Sequence, residues 1–108
     1  MNSTDKIVVL VTTDGKEEAR KIADLLVNQR KAACVNIISN VNSTFWWQGK
    51  IDSAHECLLV IKSKVSLLPK ITELIKGSHS YKVPEIIAMP IVGGNDDYLN
   101  WIDNEVQE

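Results

Sequence analysis

Ile7-Val8-Val9-Leu10-Val11, Cys57-Leu58-Leu59-Val60-Ile61 and Ile86-Ile87-Ala88-Met89-Pro90-Ile91-Val92 are unbroken apolar runs. A half-buried strand alternates apolar with polar residues, so a continuous run marks a strand buried on both sides. The chain has 108 residues, which leaves room for only a few helices. Those helices can shield one face of a sheet. The other face must meet something else, and the economical partner is another copy of the chain.

The segments around these runs complete the order. The first strand is predicted over Lys6–Thr13. Asp14 with Glu17 three residues on forms a capping-box-like start to a helix. Ala19, Ile22, Ala23, Leu26 and Val27 form its apolar stripe, and it should end near Arg30-Lys31. Ala33 to Trp47 is long for a strand, so a bulge is expected around Ser39–Asn42. Gln48-Gly49 turns the chain, with Trp47 facing Lys50, and Ile51–Ser63 returns antiparallel. This hairpin should project as an arm. A second helix is predicted over Val65–Lys76, beginning near Ser66 because Pro69 belongs in a first turn, and ending at Gly77. A strand over Glu85–Val92 follows, then a short helix capped by Asp96 or Asp97. The result is one α+β domain over residues 1–108 with a ferredoxin-like β-α-β-β-α-β antiparallel sheet and a C-terminal helix.

The bulk properties exclude some functions. A net charge of −2 supplies no general attraction to nucleic acid or an anionic membrane. No apolar run approaches the roughly 18 residues of a membrane span. Met1-Asn2-Ser3-Thr4-Asp5-Lys6 is polar and lacks a signal-peptide core, so a cytoplasmic location is expected, unless an organelle address has been trimmed away. Counting back from the hairpin turn puts Cys34 opposite about Ser63 and Cys57 opposite about Asn40. The thiols should therefore lie on the order of 20 Å apart, too far for a disulfide. Both are expected to be free and buried.

Candidate chemistry concentrates in Ser78-His79-Ser80-Tyr81-Lys82-Val83-Pro84-Glu85. An imidazole, a phenol, an amine and a carboxylate fall together there, suited to a metal ligand or a general base, or simply to an exposed turn. His55-Glu56 cannot line one site, because neighbours on a strand point to opposite faces. Phe45-Trp46-Trp47 and Trp101 could stack a ligand, but no basic groove accompanies them, and packing the arm against a neighbouring subunit suits them better. Gly93-Gly94 has no phosphate-loop frame. No Ser-His-Asp frame, H-E-x-x-H or C-x-x-C occurs.

Five segments in this order resemble the CutA family of divalent-cation tolerance proteins. They are Lys31-Ala32-Ala33-Cys34-Val35-Asn36, Trp47-Gln48-Gly49-Lys50-Ile51, Glu56 to Lys62, His79 to Ile87, and Tyr98-Leu99-Asn100-Trp101-Ile102. The resemblance implies a ferredoxin-like homotrimer with a link to copper and other divalent cations. Members of the family with copper ligands carry a cysteine in the first strand and a second histidine ahead of the loop histidine. Here those positions are Val11 and Ser78, so His79 alone remains, and weak copper binding is expected with no obligatory cofactor.

The leading expectation is a non-enzymatic homotrimer that binds a cation or small ligand in intersubunit clefts. Trp47, Glu56, Lys62, Tyr81, Glu85 and Trp101 would line the cleft, and His79 would be the metal ligand. Two alternatives stand beside it. One is an enzyme with an intersubunit active site that uses His79 or Glu85. The other is a purely structural or anchoring trimer.

Overall fold

The computed structural model describes residues 4–108; Met1–Ser3 of the polar leading segment lie outside the described residues. The elements are β1 (Lys6–Thr13), α1 (Lys16–Asn28), β2 (Cys34–Trp47), β3 (Lys50–Lys64), a 3-10 turn (Val65–Leu67), α2 (Leu68–Ser78), β4 (Ile86–Pro90) and α3 (Asp96–Glu105). The four strands form one antiparallel sheet in the order β2-β3-β1-β4, as the ferredoxin-like reading requires.

The apolar runs resolve into two unequal faces. Ile7, Val9 and Val11 of β1 and Cys57, Leu59 and Ile61 of β3 are buried beneath Ala19, Ile22 and Leu26 of α1 and Leu67, Ile71 and Ile75. Alternation turns Val8, Leu10, Leu58, Val60, Ile87 and Met89 to the other side. That face is only partly covered: Ile87 and Met89 on β4 are 51% and 47% exposed. Cross-strand register lines it up in rows. Asn36, Val60, Leu10 and Ile87 form one row, and Cys34, Lys62, Val8 and Met89 the next.

The expected bulge lies between Ile38 and Val41, where Ser39 and Asn40 oppose Cys57 alone. Asn40 takes the left-handed conformation, φ 63°, which Asn tolerates better than most residues. The extra residue reverses the strand's parity. Val35 and Ile37 pack on the helix-covered core, whereas Val41, Phe45 and Trp47 share the face of Glu56. It also moves the register, so Cys34 faces Lys62 rather than Ser63. Both thiols are free; Cys57 is buried, but Cys34 is half-buried rather than fully enclosed. Beyond the bulge the hairpin extends as an arm, with Trp46 72% and Ile51 66% exposed near its tip.

The helix ends differ from their sequence readings. Gly15 is the N-cap of α1, without a side-chain cap. Glu18, one residue beyond the predicted Glu17, reaches back to the Asp14 N–H at 3.3 Å. Helix α1 stops at Asn28, and Arg30 turns the chain with φ 60°. The 3-10 turn precedes α2, Pro69 sits in its first turn as expected, and the helix passes through Gly77 to Ser78. Asn95, not Asp96 or Asp97, caps α3 by accepting the Asp97 N–H at 2.9 Å. Strand β4 is shorter than predicted, beginning at Ile86 and ending at Pro90.

Candidate functional site

The loop between α2 and β4 folds back onto the end of the sheet as a fastened polar network. Helix α2 delivers His79 at its C-terminus, and Pro84 stiffens the approach to β4. The His79 side chain is 0% exposed. Its Nε2 lies 2.7 Å from the Thr12 carbonyl oxygen, and its Nδ1 accepts the Tyr81 N–H at 3.0 Å. This pairing makes Nε2 the protonated nitrogen, donating to Thr12. The Tyr81 ring lies 4.8 Å from the imidazole, centroid to centroid. Its hydroxyl donates to Glu56 Oε2 at 2.9 Å.

Glu18 closes the network from α1. Its Oε2 accepts the Ser80 N–H at 3.0 Å, and its Oε1 lies 3.5 Å from His79 Nδ1. Burial pushes the Glu18 carboxyl up, but hydrogen bonds from Ser80 and Asp14 outweigh it and hold the group below the usual carboxylate range. Burial, followed by the hydrogen bond to Glu56 and the surrounding carboxylates, holds the Tyr81 hydroxyl well above the ordinary phenol range. Tyr81 is thus a neutral donor under all physiological conditions.

His79, Tyr81 and Glu56 are therefore brought together, and Glu56 is a buried member of the network. His55 points the other way and is exposed. Trp47 sits at the arm tip, opposite Lys50. Lys62 lies six positions beyond Glu56 along β3, about 20 Å away at strand rise, and donates to Asn36 Oδ1. Glu85 is exposed just before β4. Trp101 is on α3 beside Tyr98, their rings 5.4 Å apart, and Tyr98 lies against Cys34. One chain spreads these residues along its long dimension of 43 Å. Two open depressions on the surface, of about 420 and 430 Å³, are lined by none of them.

As a metal ligand, His79 has no idle lone pair in this arrangement, because both ring nitrogens are engaged. Among the described residues no three His, Cys, Asp or Glu side chains converge on one point. The described residues of a single chain therefore do not form a ready-made metal site. Sequence reasoning passed over Glu18, Thr12 and Asn36. Glu18 carried a readable signal, a carboxylate at the third helical position; the Thr12 contact is a backbone carbonyl and had none.

No helix among the described residues is long and apolar enough to cross a membrane. A family model described as CutA1 divalent ion tolerance protein matches residues 7–105. The chain is 46% identical over 102 residues to the chloroplastic protein CutA 1 of Oryza sativa, covering 94% of this chain and 58% of that one. It thus spans less than two thirds of the rice protein's length. It is 46% identical over 95 residues to the divalent-cation tolerance protein CutA of Thermus thermophilus, covering 88% of this chain and 92% of that one. The crystal structure of CutA1 from Oryza sativa superposes with a TM-score of 0.94 at 44% identity, over 98% of this chain and 97% of that one.

Proposed function

The chain belongs to the CutA1 divalent-ion tolerance family, and on that premise we propose that it acts as a non-enzymatic homotrimer that binds a divalent cation or small ligand in clefts where copies meet. One observation carries this reading: the half-covered apolar face of Val8, Leu10, Leu58, Val60, Ile87 and Met89 ends at the polar network of Glu56, Tyr81 and His79. Covering roughly 400 Å² of such a face at about 25 cal/mol per Å² gives on the order of 10 kcal/mol gross, before the costs of association. Trp47 and Phe45, on the face that continues from it, extend the contact along the arm. Copper would reach His79 only by displacing the Tyr81 N–H from Nδ1, so binding is weak. A base role for His79 meets the same obstacle, which favours binding over catalysis.

Light scattering at micromolar concentration should give three times the 12.1 kDa chain mass; a monomer refutes the assembly. Calorimetric titration with copper(II) should give a Kd weaker than about 1 µM, lost in His79→Ala. Submicromolar affinity retained in that variant would move the metal to Cys34 or Cys57. A trimer that takes up neither metal nor small ligand would support the anchoring alternative.

A further inference from the structure

Glu56 is the charged side chain that the described residues bury, at 6% exposure. Its Oε2 is held by the neutral Tyr81 hydroxyl. Among the described residues no Lys, Arg or His nitrogen lies within 4.0 Å of it. Strand alternation puts Glu56 on the face of Leu58, Val60 and Lys62, the face that α1 and α2 leave open. If a second copy covers that face, a carboxylate without a cation loses what hydration it has, which is costly unless a counter-charge arrives.

Four lysines share that face within the sheet; Lys50, at the arm tip opposite Trp47, is exposed to solvent. Lys6 and Lys64 are both held by Asp103 of α3, at 3.6 and 3.2 Å. Lys62 is different: it is half-buried, its ammonium donates to the neutral Asn36 amide, and among the described residues no carboxylate lies within 4.0 Å. Glu56 and Lys62 thus flank the apolar stretch of Leu58 and Val60 as a buried unpaired anion and a half-buried unpaired cation. About 20 Å of strand separates them, well beyond the screening length of about 8 Å at physiological salt. They cannot pair within one chain.

We infer that Glu56 of one copy pairs with Lys62 of a second copy, so that the network of Glu56, Tyr81 and His79 is completed only across the subunit interface. This rests on the proposed self-association. In a closed ring each copy donates one ammonium and receives one, so every charge is matched. The pair fixes the register of the two faces, which apolar contacts alone leave free to slide.

The separation in one chain makes the test clean. The dissociation constant of the assembly is measured by dilution for wild type, Glu56→Gln, Lys62→Met, the double variant and the charge swap Glu56→Lys/Lys62→Glu. Each single variant should weaken assembly at least about 30-fold. The double should be no weaker than the worse single, and the swap should recover most of the loss. Losses that multiply in the double while the assembly retains its mass would overturn the pairing and leave self-association standing. A wild-type monomer would instead overturn self-association. If Glu56→Gln does not fold by circular dichroism, Lys62→Met decides: an unchanged dissociation constant overturns the pairing. Assembly weakened by EDTA but indifferent to Lys62→Met would overturn it too, by assigning Glu56 a divalent cation instead.

Discussion

Tyr81→Phe isolates one hydrogen bond. The substitution keeps the ring against His79 and removes the hydroxyl that donates to Glu56 at 2.9 Å. No cavity forms, so the loss is the bond itself plus the cost of leaving a 6%-exposed carboxylate short of its donor. Hydrogen bonds to charged groups contribute about 1.5–3 kcal/mol. Near the melting point the unfolding entropy is about 2.1 cal/mol/K per residue, or about 230 cal/mol/K for the chain. A loss of about 2 kcal/mol then lowers Tm by about 9 °C, measured by circular dichroism at fixed protein concentration. The pH dependence supplies a second readout. The folded-state pKa of Tyr81 is raised, by burial first and then by Glu56. Its contribution is therefore complete below the unfolded phenol value of about 10 and declines as pH rises from there through the folded value. The gap between wild type and Tyr81→Phe should shrink above about pH 10. A Tyr81→Phe protein melting within about 1 °C of wild type at neutral pH would refute the support of Glu56 by Tyr81.

Asn40 is the residue the bulge depends on. Asn40→Gly should be tolerated, whereas Asn40→Val should cost about 1–2 kcal/mol in the left-handed conformation, read as a lower urea midpoint; equal midpoints would show that the strand relaxes around it. Glu18→Gln should change acid sensitivity. Because burial raises the folded carboxyl but hydrogen bonds from Ser80 and Asp14 outweigh it and depress the group, its stabilisation is present above the unfolded value of about 4.3 and is lost as pH falls through the folded value. Melting curves of wild type and Glu18→Gln should therefore converge on acidification from neutral to about pH 3, and parallel curves would contradict this.

The architecture was legible because it rests on local signals. The unbroken apolar runs, the helical stripes at Ala19–Leu26 and Leu67–Ile75, and Gln48-Gly49 each report on neighbouring residues, and their order restricts the topology to a few choices. The helix ends were read less well. Gly15 in place of Asp14, Ser78 in place of Gly77 and Asn95 in place of Asp96 are choices among adjacent residues that could all serve. The site was legible as a set of residue types but not as a set of contacts. The loop looked as much like an exposed turn as a site until His79 was seen to be buried.

The sequence by itself determined the α+β order, the presence of a bulge near Ser39–Asn42, and an apolar sheet face that two helices cannot cover. These follow from periodicity and composition, which act over a few residues. Only the tertiary structure decided which residues meet. The bulge reverses the parity of β2, so Val35 and Ile37 enter the core while Phe45 and Trp47 join the face of Glu56. The carbonyl of Thr12 engages His79, and the Tyr81 hydroxyl engages Glu56, across 67 and 25 residues of chain. Contacts of that range depend on how strands and helices pack in three dimensions, and no local pattern encodes them.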